Sequence, residues 1–407
     1  MAAPPSDQCP DCAEAIAALC DDLLARASDF PDPGAFITLV AERLTGIGLP
    51  ILRLAAGGEL LHPTIEAMGW LWRPDSGVVP RVLERRENWD SDDWLKSPIL
   101  HLIENSGRSL QLPVDDDRMV ARFPILADMR EEGAAEYLLF VERVGGALRI
   151  TAENDVYVSF AHGGRFKIDE PTAKGLQRLA HLLILIIQAN AAVATARGLL
   201  GVYLGTDAAQ KVLDGNVVRG RADPIEAVIW YSDLADFTKI TDEKPPKGVL
   251  ALLNDYAATV ADELARHGGN VLKFTGDGIL AVFQEGDGAA RALEAVRGVR
   301  LAVSGLNDQR RARSAPTTGV YIALHHGELL YGNFGSTTRM DFTVLGQAVN
   351  QAARIAAMSR GLDQPVILSE AFAAAAGPER HRFVSLGRYA LRGVTRPQEL
   401  FTLDPTA

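Results

Sequence analysis

The sequence predicts a protein of two domains, each mixing helices with strands, joined by one long helix. The chain has 407 residues, enough for two or three domains at roughly 100–200 residues each. Apolar residues recur at helical spacing from Glu170 to about Leu200. After Asp223 the pattern changes to alternating strands and helices. We therefore expect a first domain before the long helix and a second domain after it.

The composition is that of an ordinary globular protein, with 47% hydrophobic and 23% charged residues. The net charge of −11 disfavours overall attraction to nucleic acid or anionic lipid. The N-terminus lacks the basic start and apolar run of a secretory signal. The most apolar stretch, Leu179 to Ala194, is shorter than the ~20 apolar residues of a membrane span. We expect a cytoplasmic protein with no nucleic-acid partner and no membrane span.

Residues 1–12 are predicted to form a disordered leader. An odd, low count of three cysteines argues against a disulfide framework. Cys9 and Cys12 form a CxxC motif, but a zinc site of this type needs a second ligand pair that the sequence does not supply. We interpret the two as a thiol pair on a mobile tail, with a redox or metal role as the alternative.

The first domain is predicted as an α/β module, with helices over Glu14–Arg26 and Ala35–Leu44. Three short strands follow, over Leu49–Leu54, Glu136–Val144 and Val156–Phe160. Gly-Gly pairs at 57–58, 145–146 and 163–164 lie beside them and are expected to mark turns. Four tryptophans fall in one short segment and either fill a core or line a ligand pocket: Trp70, Trp72, Trp89 and Trp94.

The long helix carries apolar residues at a and d positions of a heptad: Leu176, Leu179, Leu183, Ile186, Asn190 and Val193. Asn190 falls at an a position, where a buried Asn favours two-stranded pairing in one register. Because the run covers fewer than three heptads, an ordinary amphipathic core helix explains it nearly as well. Residues 201–223, rich in Gly, Asp and Arg, are predicted to be a linker, so that residues 169–222 form a signalling helix and linker.

The second domain is predicted to alternate strands with helices. The strands are Ala227–Tyr231, Asn270–Phe274, Gly278–Phe283, Thr318–Leu324 and Glu328–Phe334, and the helices are Lys247–His267, Asp287–Ser304 and Gln347–Ser359. A tight turn around Gly276 and Asp277 joins the second and third strands into a hairpin.

Two carboxylates in this domain indicate a metal site. Asp233 follows the first strand, and Asp277 lies in the hairpin turn. Two close carboxylates repel unless cations lie between them. Their hard oxygens suit Mg²⁺ or Mn²⁺, and two such ions near ~4 Å apart could activate an attacking oxygen at a phosphorus centre. The loop from Asp233 through Phe237 and Thr238 offers backbone N–H groups that could hold a polyphosphate.

Other polar residues admit two interpretations on spacing alone. Lys273, four residues before Asp277, could contact a base edge from a strand, or could be an ordinary solvated lysine. Asn350 and Arg354 are four apart on a predicted helix and therefore share a face. Such a pair by itself is usually a surface feature.

Four ordered blocks of this domain resemble class III adenylate and guanylate cyclases. They are YSDLADFT at 231–238, HGGNVLKFTGD at 267–277, LHHGELLYGNFG at 324–335 and DFTVLGQAVNQAAR at 341–354. The resemblance covers about residues 223–404. It implies an α+β, ferredoxin-like catalytic domain over residues 223–407, working as a head-to-tail homodimer with its active sites at the subunit interface.

The resemblance also implies a role for each matching residue and a reaction, the conversion of ATP into cyclic AMP and pyrophosphate. Asp233 and Asp277 match the aspartates that bind two Mg²⁺ or Mn²⁺ ions per site. Lys273 and Thr343 match the base-recognising pair, and Asn350 and Arg354 match the pair that orients the ribose and stabilises the transition state. Arg392 lies where a basic phosphate contact is expected. One chain would supply the aspartates, and the other Lys273, Thr343, Asn350 and Arg354.

Two positions depart from the family pattern, and two alternatives remain open. Asp236 stands where many members carry glycine, and Tyr321 where some carry a phosphate-binding arginine. A guanylate cyclase is one alternative, although those members tend to have an acidic residue at the Lys273 position. A catalytically inactive nucleotide-binding module is the other, and the intact set of six site residues argues against it.

Residues 13–168 resemble a GAF-type sensory domain more loosely. The resemblance lies in the segments 133–138 and 160–166, the second being a turn before the long helix. It implies a regulatory ligand or signal at this domain without identifying it.

Overall fold

The computed structural model describes residues 12–26, 32–85, 91–143, 155–163, 167–284, 286–392, 394 and 396–404. The chain divides into two compact units, Met1–Leu199 and Leu200–Ala407. Both units mix helices with strands, as the sequence predicts.

The N-terminal unit is built on six strands: β1 (Ile51–Glu59), β2 (Ile65–Arg73), β3 (Gly77–Glu84), β4 (Ser109–Pro113), β5 (Glu136–Arg143) and β6 (Asp155–His162). They form one antiparallel sheet in the order β3-β2-β1-β6-β5-β4. Its helices are α1 (Cys12–Ala25), α2 (Pro33–Gly46), α3 (Asp92–Leu95), α4 (Pro98–Glu104), α5 (Asp117–Arg122), α6 (Ile125–Glu131) and α7 (Glu170–Leu204). One sheet face packs on α1, α2 and α7, and α4 to α6 cover the other.

Several expectations for this unit change in the structure. Gly57 and Gly58 do not mark a turn. They lie inside β1, where they pair with Gly69 and Met68 of β2, because the strand is covered on both faces. Cys12 is buried at the start of α1 and is disulfide-bonded, rather than a free thiol on a mobile tail. The rest of the leader, with Cys9, and the glycine pair at 145–146 lie outside the described residues, as does the end of the 160–166 turn.

The tryptophans divide between the two interpretations. Trp72 is buried in the core, and Trp70 packs against it. Trp94 lines a cavity on the opposite sheet face. Trp89 lies outside the described residues.

The long helix is confirmed as α7, from Glu170 to Leu204. Leu176, Leu179 and Leu183 are buried in the core of their own unit, so this part of the heptad pattern is that of a core helix. Asn190 donates to the carbonyl of Ile186 one turn earlier, at 3.0 Å. Pairing of this helix with a second copy stays a prediction for its later residues, of which Val193 is exposed.

α7 is also long and apolar enough to cross a membrane by length and composition, although its longest apolar run alone is short. A third of its most apolar window is buried inside the unit. A core helix of a globular protein passes the same test, so this single helix carries little weight as a membrane segment.

The C-terminal unit has eight strands: β7 (Ala222–Leu234), β8 (Asn270–Thr275), β9 (Gly278–Gln284), β10 (Val320–Gly335), β11 (Met340–Leu345), β12 (Val366–Ser369), β13 (Phe383–Tyr389) and β14 (Gln398–Leu403). The sheet order is β13-β14-β12-β10-β7-β9-β8, with β11 paired to β10. The helices are α8 (Thr206–Leu213), α9 (Phe237–Glu243), α10 (Pro246–Arg266), α11 (Gly288–Ala312), α12 (Gln347–Ala356), α13 (Ser359–Leu362) and α14 (Glu370–Ala375), followed by a 3₁₀ turn (Gly377–Arg382).

The two faces of this sheet are covered by different helices. α10 and α11 pack on one face, while α8 and α12 contribute to the core on the other. The predicted linker over 201–223 is therefore wrong in part, because Thr206–Leu213 is a helix whose Ala208 is fully buried. The two strands expected on either side of Gly327 are one strand, β10, since its pairing with β7 continues through Gly327 and Ala227.

Candidate active site

The pairing of β7 with β9 brings the two aspartates to one end of the sheet. Ser232 pairs with Ile279 in an antiparallel register, so Asp233, the next residue, reaches the level of the turn that holds Asp277. Gly276 in that turn has φ +68°, a left-handed conformation that glycine adopts without strain. Ser232 points into the core, where it accepts a hydrogen bond from the indole N–H of Trp230 at 3.0 Å. Since side chains alternate along a strand, Asp233 is directed to the opposite face.

The electrostatics of this pair favour a cation. Burial, and then the charge of Asp277, raise the pKa of Asp233 to about 6, while the positive charge of Arg360 acts in the opposite direction. A divalent cation between the carboxylates would relieve both unfavourable effects. Within the described residues no cluster of three or more His, Cys, Asp or Glu side chains could hold a metal. The two carboxylates are hard oxygen donors and fit an ion such as Mg²⁺, for which phosphate and water oxygens would complete the coordination.

The loop after β7 begins with a strained residue. Asp236 has φ +58°, in the left-handed region where Asp and Asn are tolerated better than most other side chains. This explains how an aspartate can replace the glycine that many cyclases carry here. Phe237 packs against the core, so its contribution to a phosphate site would come from its backbone. Thr238 is exposed, and its role stays a prediction.

Lys273 is held by a carboxylate in the structure. Its Nζ donates to Asp341 of β11, in an ion pair whose side chains are 38% and 43% exposed. Thr343 lies two residues further along β11, on the same face as Asp341, and is buried. The fold thus brings Lys273 to the strand that carries Thr343. Sequence reasoning missed Asp341, although its spacing of two from Thr343 was a usable signal.

Asn350 and Arg354 lie on the outward face of α12. Ala348, Ala352 and Ile355 bury the opposite face, whereas Asn350 is exposed and Arg354 is half-buried. Neither side chain has a hydrogen bond or ion pair with any described residue of its own chain. Within the described part of the chain, no contact of these side chains holds them beside the aspartates.

The remaining phosphate candidates differ in position. Arg392 is exposed beside the buried Leu391, and no described residue pairs with it. Tyr321 lies directly opposite Asp233 on β10, at the same end of the sheet as the two aspartates. Arg360, which sequence reasoning did not consider, supplies a positive charge near Asp233. Its position on the short helix after α12 gave no signal in the sequence pattern.

A groove of this unit, about 700 Å³ in volume, does not contain the aspartates. It is lined by His325, His326 and Gln351 among others, and reaches Gly346 at the start of α12. We locate the site by the chemistry of the aspartates rather than by groove size. If the site is shared by two copies, one copy presents only an open half of it.

Known proteins are similar to the C-terminal unit of this chain. Residues 221–404 match the family described as adenylate and guanylate cyclase catalytic domain. An uncharacterised protein of Mycobacterium tuberculosis is 31% identical over 205 residues, which is 50% of this chain and 36% of that protein. An adenylate cyclase of Anabaena cylindrica is 30% identical over 159 residues, or 38% of this chain and 32% of that enzyme. The chain thus spans about a third of the length of these relatives.

Among solved structures, a guanylyl cyclase is 28% identical with a TM-score of 0.40, covering 45% of this chain and 93% of the other. The part of this chain that matches known proteins lies in the C-terminal unit, whose residues 221–404 match the adenylate and guanylate cyclase catalytic domain.

Proposed function

We propose that the chain is an adenylate cyclase, which converts ATP into 3′,5′-cyclic AMP and pyrophosphate at a site shared by two copies. The observation that carries the proposal is the register that brings Asp233 beside the turn of Asp277. Lys273 on the adjoining strand β8, with Thr343 and Asp341 on β11, supplies polar groups that can contact a base. A GAF-type sensory role for residues 13–168 remains part of the same proposal.

In this reaction the ribose 3′-oxygen attacks the α-phosphorus, the bond to pyrophosphate breaks, and the 3′-hydroxyl proton is released. Asp233 and Asp277 would hold two Mg²⁺ or Mn²⁺ ions, and the chemistry that such ions supply is stabilisation of negative charge on phosphate and on the attacking oxygen. Asn350 would orient the ribose. Arg354 would meet charge that grows at the phosphorus, and an interaction that strengthens in the transition state raises the rate rather than only the affinity.

Selection of adenine would come from Lys273 and Thr343. Adenine presents an acceptor at N1 and a donor at its 6-amino group, which an ammonium and a hydroxyl can pair. A base that leaves these buried groups unpaired is rejected, because an unmade hydrogen bond is costly. Asp341 is the observation that favours guanine as a second candidate, since a carboxylate can accept from its N1–H and 2-amino group.

The decisive experiment supplies the purified chain with ATP or GTP, in the presence of Mg²⁺ or Mn²⁺, and measures both cyclic products. We expect cyclic AMP, with kcat/KM for ATP at least ~10-fold above that for GTP, which corresponds to about 1.4 kcal/mol. Equal or greater production of cyclic GMP would overturn the adenine assignment. Absence of either product with both metals would support the inactive module.

The shared site can be tested by complementation. Asp277→Ala and Arg354→Ala homodimers each have two damaged sites, but a mixed dimer has one intact site and one carrying both lesions. With random pairing half of the dimers are mixed, so co-expression should restore roughly a quarter of wild-type activity. Co-expression of Asp277→Ala with Asp233→Ala is the matched control, because both lesions fall on the same side of each site and one side remains damaged everywhere. No recovery in tagged, purified Asp277→Ala/Arg354→Ala heterodimers would exclude the two-chain site.

A further inference from the structure

A gap in the strand pairing of β10 lies beside the groove of about 700 Å³. β12 pairs with one edge of β10 over Ile322–Leu324, and β11 pairs with that edge only from Leu330 onward. β7 occupies the other edge along the whole stretch. Among the described strands, residues 325–329 therefore have no partner on the first edge. The groove follows this gap, because its walls include His325, His326, Glu328 and Leu329.

A buried histidine in the groove wall carries an unused hydrogen-bond donor. His325 is 4% exposed, and its Nδ1 lies 2.8 Å from the Oγ of Ser369. The Ser369 Oγ already accepts from the N–H of Phe372 at 3.1 Å, and no other described residue accepts its hydroxyl proton, so Ser369 donates to Nδ1. The ring hydrogen is therefore on Nε2. No described residue accepts a hydrogen bond from that nitrogen.

The first turn of α12 lies beside this donor. A Cβ on Gly327 would be 3.7 Å from Nε2 of His325 and 3.0 Å from the Cβ of Ala348. Gly346 is the N-cap residue of α12 and has no side chain to accept from the first N–H groups, which the helix itself cannot satisfy. Gly346, Gln347 and Ala348 all line the groove. Such a helix start attracts negative charge.

A second buried side chain adds a donor from the next turn of α12. Gln351 is 9% exposed and lines the groove. Its Oε1 accepts from the amide of Gln398 at 3.5 Å, whereas its own amide nitrogen has no partner among the described residues. Leaving a buried donor unsatisfied is costly. The inner wall thus offers an imidazole N–H, an amide and helix N–H groups, all of which a carboxylate can accept.

The outer part of the groove has the opposite character. Glu328 and Glu370 line it, are exposed, and have no ion pair with any described residue. No lysine or arginine is among its lining residues. A phosphate or another multiply charged anion would therefore be repelled, whereas a molecule with one carboxylate and one ammonium matches both parts. Apolar surface beside the glutamates comes from Leu329, Ala371 and Ala374.

We propose that this groove binds a free α-amino acid with an apolar side chain. The carboxylate accepts hydrogen bonds from the first turn of α12, from Nε2 of His325 and from the Gln351 amide. The ammonium pairs with Glu370, and the side chain packs on Ala371 and Ala374. The aspartates of the proposed active site do not line this groove, so the amino acid and a nucleotide occupy different sites.

The test is calorimetric titration of the full chain with L-leucine, L-valine and L-phenylalanine. Each is compared with two analogues, the acid that lacks the amino group and the amine that lacks the carboxylate. We expect saturable binding of at least one amino acid, with both of its analogues at least ~10-fold weaker, because each analogue loses charge-assisted hydrogen bonds. Failure of all three amino acids to bind, or equal binding of an amino acid and either analogue, would overturn the proposal.

Two variants locate the binding site. Gln351→Leu keeps the size of the side chain but removes its amide, and should weaken the amino acid at least ~10-fold. Gln210→Leu is the matched control, because Gln210 is an exposed glutamine of the same unit outside the groove.

Glu370→Gln keeps the test valid if Gln351→Leu does not fold, since Glu370 is exposed. It should lower the preference for the amino acid over its amino-free analogue at least ~3-fold, as expected for loss of an exposed ion pair. Wild-type affinity in Gln351→Leu, or an unchanged preference in Glu370→Gln, would also overturn the proposal. Because the readout is binding rather than turnover, it is independent of the cyclase assignment.

Discussion

The two units contain unbalanced charge of opposite sign. In the C-terminal unit, Asp233 and Asp277 meet at a strand end and a hairpin turn, and burial raises the pKa of Asp233. In the N-terminal unit, the buried Nη1 of Arg53 on β1 has no hydrogen-bond partner among the described residues. The first arrangement concentrates negative charge, and the second leaves part of a positive group without a hydrogen-bond partner.

The difference between the units lies in how their residues are distributed along the chain. The aspartates belong to short, ordered blocks that can be recognised by eye, because each lies at a strand end or in a turn. The surroundings of Arg53 come from strands that are far apart in the chain, since β1 pairs with both β2 and β6. An environment of that second kind exists only once the sheet is assembled.

The largest expected effect is on the aspartate pair. Asp233→Ala or Asp277→Ala should lower turnover at least ~100-fold, the loss expected when about 3 kcal/mol of transition-state stabilisation is removed. The thermal midpoint should not fall, because removing one carboxylate relieves repulsion. The exposed Asp262→Ala is the control. Activity above a few per cent of wild type with Mg²⁺ in either variant would contradict the metal assignment.

The next effect concerns choice of base. Lys273→Glu should lower the ratio of kcat/KM for ATP to that for GTP by at least ~10-fold, because the ammonium that pairs with adenine is lost. Asp341→Asn should raise that ratio, since it removes the carboxylate that suits guanine. Initial rates with both nucleotides measure this. Unchanged ratios in both variants would mean that neither residue contacts the base.

A stability comparison separates a paired from an unpaired buried arginine. Arg310 is 6% exposed, pairs with Asp255 and donates to the Pro316 carbonyl at 2.6 Å. Arg310→Met should cost about 2 kcal/mol by leaving those acceptors unsatisfied. Arg53→Met should change stability by less than about 1 kcal/mol, or increase it, because no bond is lost. Scanning calorimetry of the full chain is the measurement, and equal losses would remove the contrast between the units.

The smallest effect is a pH dependence. The pKa of Asp233 is raised in the fold, so the folded state binds more protons than the unfolded state between pH ~4 and 6. Asp233 therefore contributes most favourably to the free energy of unfolding at low pH, and this contribution is lost as the pH rises to about 6. After a discount for partial solvent exposure, the free energy of unfolding falls by about 1 kcal/mol over this pH range. Burial lowers the pKa of His325 to about 4. The contribution of this histidine to the free energy of unfolding therefore increases as the pH rises, opposite to that of Asp233.

Asp233→Asn isolates the aspartate from such other groups. In EDTA, the thermal midpoint of wild type minus that of Asp233→Asn should fall between pH 5 and pH 7.5. Asp262→Asn provides the matched baseline. A difference that stays flat or rises with pH would contradict the raised pKa.

How much the sequence could predict follows from the same contrast. Local turn chemistry and periodicity determine some features, which could therefore be predicted from the sequence. These are the β8–β9 hairpin, α7 and the aspartates at the strand end. The Lys273–Asp341 ion pair could not be predicted, because it depends on the contact between β11 and β8 in the folded domain. The cavity beside Trp94 was missed because β2 and β3 were not predicted, and because the glycines of β1 were interpreted as a turn although they lie within a strand.

If Lys273 recognises the base as proposed, its ion pair with Asp341 makes binding of the base an exchange of partners. A lysine that already has a carboxylate must give up part of that contact before it can donate to a purine. Exposed ion pairs weaken as salt is added, so added salt lowers the cost of the exchange. An uncharged nucleoside such as adenosine, which has no phosphates to be screened, should then bind more tightly as ionic strength rises, opposite to the usual trend for ATP.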